Sequence, residues 1–156
     1  MEREPLSGEV IWIGVRPARR APVRVLERVE ALANRGLDGD RATVRPSRVR
    51  QITLIDRETL DDAARRLGLA AIDPSQVRRN LVTRGVDLDA ARHRHLLVGE
   101  VLLRVTGPCD PCARMEEALG EGAGVGAHEA VDARGALGAG RPGLHPHRRP
   151  ARIGYA

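Results

Sequence analysis

The chain reads as a mostly β domain with one or two short helices, and three observations predict it. Short apolar runs rich in β-branched residues recur between residues 9 and 105, turn residues such as Pro17, Gly85 and Gly107-Pro108 punctuate them, and only one segment has full helical periodicity. Five or six short strands around so few helices favour a sheet or barrel over a doubly wound α/β fold. At 156 residues the chain has the size of one domain, and its 42% hydrophobic and 30% charged content is that of a globular protein. Trp12 and Tyr155 are the only aromatic residues, so the core must be built from Leu, Val, Ile and Ala.

The elements follow in order. Residues 9–15 form an apolar run ended by Pro17, and residues 23–26 begin another after Pro22; both read as strands. Residues 50–55 are a third, and Asp56 behind them is placed to cap a helix. That helix is carried by Leu60, Ala63, Ala64 and Leu67, which line up on one face, and Gly68 supplies its stop. Residues 77–83 and 99–105 complete the predicted strands. From Gly120 the pattern changes: 9 of the 17 glycines fall in residues 120–156, and periodicity is lost. We therefore expect an ordered domain over residues 1–119 and an irregular, disordered tail over 120–156.

All 26 basic residues are arginine. Codon bias in a GC-rich genome accounts for this, yet the consequence is chemical: without lysine the chain can form no Schiff base with pyridoxal phosphate and offers no Walker-type phosphate lysine. The net charge of +5 comes from arginines interspersed with Asp and Glu, a solvated mixed surface rather than a stripe that tracks phosphates. With so few aromatic platforms as well, no nucleic-acid partner is expected. The first residues lack the apolar run of a signal peptide, and no stretch approaches the roughly 18 apolar residues of a membrane span, so a cytoplasmic protein with no membrane partner is expected. In that reducing setting Cys109 and Cys112 should persist as thiols.

Three local patterns could carry chemistry. Residues 107–116, Gly-Pro-Cys-Asp-Pro-Cys-Ala-Arg-Met-Glu, place Cys109 and Cys112 between a strand and a short helix predicted at 113–119. Backbone N–H groups at a helix start, with Arg114 nearby, favour thiolate over thiol. By itself the pair fits a dithiol, half of a zinc site completed by His93 and His95, or a single nucleophilic or metal-ligating cysteine. Residues 36–41 place Asp40 and Arg41 in a Gly-rich turn, where the two could simply pair with each other. Residues 78–80, Arg78-Arg79-Asn80, offer forked donors suited to a phosphate or a planar heterocycle, or else a solvated edge strand.

The order of the blocks adds to this. Gly-Leu-Asp-Gly-Asp-Arg at 36–41, Arg-Gln-Ile-Thr-Leu-Ile at 50–55, Arg-Arg-Asn-Leu-Val-Thr-Arg-Gly-Val-Asp-Leu at 78–88, Val-Gly-Glu-Val at 98–101 and Cys-Asp-Pro-Cys-Ala-Arg-Met-Glu at 109–116 together resemble the MOSC domain, the module named after the C-terminal part of molybdenum cofactor sulfurases. The resemblance covers residues 8–119 and implies a β-barrel associated with the molybdenum cofactor (molybdopterin), with sulfur carried on a cysteine as persulfide or bound as a metal thiolate. It implies Cys112 as sulfur carrier or molybdenum ligand and Cys109 as a neighbour able to resolve a persulfide. Arg78 and Asn80 resemble cofactor-contacting residues near the pterin phosphate, while Asp40 and Arg41 resemble residues that line the pocket or hold it. With no lysine, the sulfur must come from a donor protein such as a cysteine desulfurase. Relatives that reduce N-hydroxylated compounds imply an electron-transfer partner instead, and a zinc-stabilised binding module on Cys109, Cys112, His93 and His95 is the reading from another class.

Two departures stand out. Ala42 follows Gly-Asp-Arg where relatives commonly carry His, which removes any acid–base role there. Set against the resemblance, the tail shows no Gly-Gly turn or recognisable closing strand, so that strand is expected to be lost, as a reading-frame change between Gly120 and His128 would produce.

Overall fold

The computed structural model describes residues 8–44, 51–109, 127–131, 135–138 and 152–155. The chain is mostly β, as the sequence predicts. In order come β1 (Gly8–Val15), β2 (Arg24–Leu26), β3 (Arg28–Leu32), β4 (Gly36–Leu37), β5 (Ile52–Asp56), the helix α1 (Arg57–Leu67), β6 (Leu81–Arg84), β7 (His95–Val98), β8 (Val101–Cys109), β9 (Ala127–Val131), β10 (Gly135–Gly138) and β11 (Arg152–Tyr155). Two 3-10 turns, Arg41–Thr43 and Pro74–Gln76, complete the described elements.

Eight strands form one sheet in the order β11-β7-β8-β9-β5-β6-β1-β2, and β10-β3-β4 form a second. β5 and β6 are parallel, joined through α1 in a crossover connection, and the other pairings are antiparallel. A short pairing of β1 with β11, Gly8 to Ile153 and Glu9 to Arg152, links one end strand of the large sheet to the strand next to its other end. The expected barrel is corrected to that extent: the strands lie in two sheets rather than one closed wall.

Three strands, β9, β10 and β11, come from the stretch that the sequence pattern marked as irregular. Their segments have few large apolar side chains of their own and owe their conformation to partners: β9 lies between β8 and β5, β10 pairs with β3, and β11 pairs with β7 and β1. The strand expected at 77–83 starts later, because residues 77–80 form a turn and β6 begins only at Leu81. The short helix expected at 113–119 lies outside the described residues.

The sheet separates two apolar clusters. Leu54 and Leu81 face the main core with Val10, Ile13, Leu96, Leu103 and Val105, while their neighbours Ile55 and Val82 face Leu60, Ala63 and Ala64 of α1. Full burial of such a Leu or Ile contributes about 1.5–3 kcal/mol. The helix is set by local signals: Asp56 accepts a hydrogen bond from the Thr59 backbone at 3.2 Å, and Gly68 ends it at φ 70°. A bulge between Val10 and Trp12 shifts the phase of β1, so Ile11 and Trp12 both turn to the helix side before Ile13 returns to the main core.

Candidate functional site

The C-terminal end of β1 is a hub to which the candidate residues of two distant segments are tied. Gly14 donates its N–H to the Asn80 carbonyl at 2.8 Å, and its carbonyl accepts from Asn80 Nδ2 at 3.1 Å. Two residues on, the Arg16 N–H donates to Asp40 Oδ1 at 2.9 Å and the Arg16 carbonyl accepts the Arg41 N–H at 2.8 Å. The Arg16 guanidinium reaches across to the Ser75 carbonyl at 2.8 Å, which ties down the turn leading to Arg78. The blocks at 36–41 and 78–80 therefore meet at β1, a strand that belongs to neither.

Within this hub Asp40 is a structural carboxylate. Only 8% exposed, it also accepts the Ala42 N–H at 3.3 Å through Oδ2 and caps the 3-10 turn Arg41–Thr43. Its partners are backbone amides rather than the Arg41 side chain, which is exposed to solvent.

Asn80 knits three strands together. Its Oδ1 accepts the Thr53 N–H at 3.1 Å and the Thr53 hydroxyl at 3.2 Å, while its own N–H donates to Thr53 at 3.0 Å. With Nδ2 on Gly14, one amide hydrogen of Asn80 is left for a ligand among the described residues. Arg78 stands before it in a left-handed conformation, φ 55°, an unusual geometry for a residue with a side chain. The residue is half-buried, and its guanidinium has no hydrogen bond or ion pair among the described residues. Arg79, which the sequence groups with Arg78 as a forked donor, is only 5% exposed, and one of its guanidinium nitrogens donates to the Arg78 carbonyl at 3.4 Å. Nothing in the local sequence distinguishes the two arginines, since their burial follows from the turn.

The cysteines come from another part of the sheet. Cys109 is the last residue of β8 and pairs with Ala127. By strand register Gly107, Glu129 and Thr53 form one row across β8, β9 and β5, so Cys109 lies two strands across from β5 and two residues beyond the row that holds Thr53. Two strand spacings are about 10 Å. Cys112 lies outside the described residues. His93 and His95, the other candidate zinc ligands, are both exposed, and among the described residues no three His, Cys, Asp or Glu side chains are grouped to hold a metal.

At the opposite end of β5 and β6 a cavity of about 490 Å³ is bordered by Asp56, Glu58, Asp87 and Asp89. Three of these carboxylates have local tasks: Asp56 caps α1, Glu58 accepts the Gly85 N–H at 2.8 Å, and Asp87 accepts the Ala90 N–H at 3.1 Å. The parallel pair is therefore polar along its length, with arginines before β6 and acids after it.

Comparison with known proteins agrees with this architecture. The MOSC domain family model matches residues 41–148, and the chain belongs to that family. The fold is similar to that of the YuaD protein from Bacillus subtilis, with a TM-score of 0.68 at 14% identity over 96% of both chains. It is also similar to YiiM from Escherichia coli, with a TM-score of 0.62 at 16% identity over 95% of this chain and 69% of that one. YiiM from Geobacillus stearothermophilus gives 0.61 at 12% identity, over 96% of this chain and 75% of that one. No curated protein matches the chain. Among the described residues no helix is long and apolar enough to cross a membrane.

Proposed function

We propose that this MOSC domain serves the molybdenum cofactor, by holding it or by delivering sulfur to it from Cys112. The observation that carries the reading is the Arg78 turn: in a chain of this family, a half-buried arginine whose guanidinium has no partner among the described residues stands in a left-handed turn two residues before the firmly bonded Asn80. Such a fork fits a phosphate-bearing group, because guanidinium donors match phosphate oxygens pairwise. When bound, the cofactor would supply the redox or sulfur-accepting metal, Arg78 and the remaining Asn80 N–H would hold its phosphate, and Cys112 would be its protein ligand or sulfur source.

For the sulfur-carrier route the donor is a protein persulfide, since the chain has no lysine with which to release sulfur from cysteine itself. The Cys112 thiolate attacks the outer sulfur of the donor persulfide, a new S–S bond forms on Cys112, and the donor cysteine leaves as thiolate, so no net oxidation occurs. Cys109 then acts as the resolving thiol: its thiolate attacks the inner sulfur of the Cys112 persulfide, the Cys109–Cys112 disulfide forms, and the outer sulfur leaves as hydrosulfide.

Intact mass before and after reductant, with molybdenum and zinc analysis on the same sample, tests this after incubation with a cysteine desulfurase and cysteine. Cys112→Ser is expected to abolish loading of sulfur or cofactor, whereas Cys109→Ser changes only its lifetime. Equal loss in both variants, or one zinc per chain with unmodified thiols, overturns the reading in favour of a zinc module or a disulfide pair.

A further inference from the structure

We propose that Thr53 is the positioning residue of the anion site, its hydroxyl holding the turn that presents Arg78. The inference rests on the reading of Arg78 as an anion ligand and adds a residue to it. Thr53 is the second residue of β5, half-buried, and its hydrogen bonds to the turn run through Asn80. Its hydroxyl is used twice: it donates to Asn80 Oδ1 at 3.2 Å and accepts the Asn80 N–H at 3.0 Å. The Asn80 N–H is shared with the Thr53 carbonyl at 3.0 Å, and the Asn80 carbonyl accepts from Gly14 at 2.8 Å, so the hydroxyl reinforces a backbone link and adds a second donor to the amide of the residue two positions after Arg78.

That grip matters because the turn is strained. Arg78 adopts φ 55°, which residues with a Cβ enter only where the surroundings impose it, and such outliers collect at ligand sites. The turn is pinned on one side by Val77, fully buried against α1, and on the other by Asn80. If the Asn80 pin slackens, Arg78 relaxes toward an ordinary conformation and its guanidinium swings away from the bound geometry. Loss of the hydroxyl leaves Asn80 Oδ1 bonded to the Thr53 N–H, Nδ2 to Gly14 and both Asn80 backbone groups paired, so the fold survives while the amide keeps one donor instead of two and the turn loosens. The effect should therefore fall on affinity, through lost preorganisation, more than on folding.

The test titrates inorganic phosphate into the full-length chain by calorimetry at constant ionic strength, for the unaltered protein, Arg78→Gln, Thr53→Val and Thr53→Ser, with thermal melts of each. Arg78→Gln should lose the phosphate site. Thr53→Val, which has the same shape but no hydroxyl, should bind about fivefold more weakly, and Thr53→Ser should stay within about twofold of the unaltered protein. Should Thr53→Val fail to fold, Thr53→Ala takes its place against Thr53→Ser. Equal affinity of Thr53→Val and the unaltered protein, with Arg78→Gln impaired, overturns the role of Thr53 and leaves the anion site standing. If Arg78→Gln binds as the unaltered protein does, or neither binds, the anion reading fails and this inference fails with it.

Discussion

At Arg78 the backbone and the side chain pull in opposite directions. A left-handed φ of 55° carries a steric cost for any residue with a Cβ, of order 1–2 kcal/mol, whereas glycine adopts it freely. Arg78→Gly should therefore raise the stability of the fold by up to about 1 kcal/mol, the relief being partly offset by the greater freedom of glycine in the unfolded chain. The same change removes the guanidinium and with it the capacity to bind phosphate. Urea denaturation measures the first effect: a midpoint above that of the parent marks Arg78 as a residue kept for function against stability, and a lower midpoint shows that its side chain supports the fold instead. Gly14 presents the converse case. A Cβ there would run into the Trp12 ring and come within 2.8 Å of Val23, so the absence of a side chain is what lets the indole cover the strand beside Asn80.

Among the elements, the 3-10 turn Pro74–Gln76 joins the site to the hub and contributes to the pH dependence of stability. Asp73 caps it in a capping box, accepting the Ser75 N–H at 2.9 Å, while its own N–H donates to Gln76 at 3.2 Å. The Ser75 backbone hydrogen bond, then the Ser75 side chain, hold the Asp73 carboxyl below 3.8, with Arg57 adding a smaller pull and burial opposing it. A carboxyl with a lowered folded-state pKa stabilises above its unfolded value and loses that contribution as pH falls through the folded one. Stability from Asp73 is thus complete at neutral pH and lost only below 3.8. Asp73→Asn should flatten this acid limb, which urea unfolding from about pH 5 to about pH 2 in both proteins would show. How far the elements are legible in the sequence follows from where their determinants lie. α1 is read correctly, from cap to stop, because Asp56, Gly68 and the spacing of Leu60, Ala63 and Ala64 act within the helix itself. Residues 77–80 are misread as strand because Val77 is apolar and buried, and only the contact of Asn80 with Thr53 and Gly14, 27 and 66 residues away, makes them a turn. The sequence singles out Arg78, Asn80, Asp40 and Arg41, whose segments the fold brings to one hub, but not Arg16 or Thr53, whose contacts depend on a hub assembled from four segments.

Across the described residues of the molecule, Arg16, Arg41 and Arg78 stand around the hub before β6, while Asp56, Glu58, Asp87 and Asp89 border the cavity beyond it and the arginines at that end, Arg57 and Arg84, are ion-paired with Asp61 and Glu9, so an anion approaching the parallel pair is drawn to the hub end. This arrangement requires β5 to be held on both sides, and its second neighbour is β9, from the glycine-rich stretch after Leu119. β9 also carries β8, through pairs from Arg104–Val131 to Cys109–Ala127, and thereby connects the strand that ends at Cys109 with the strand that bears Thr53. A chain ended at Leu119 would lose β9, β10 and β11 together, leaving β5 and β8 with open edges and β1 without its link to β7. Unpaired ladder groups and an uncovered core in the middle of a sheet cost more than the marginal stability of a domain, about 5–15 kcal/mol, can absorb. The truncated chain should show no cooperative urea transition and should aggregate, whereas the full chain unfolds in one step. A cooperative transition in residues 1–119 at the midpoint of the full chain would show that the last three strands are attached to the domain without holding it together.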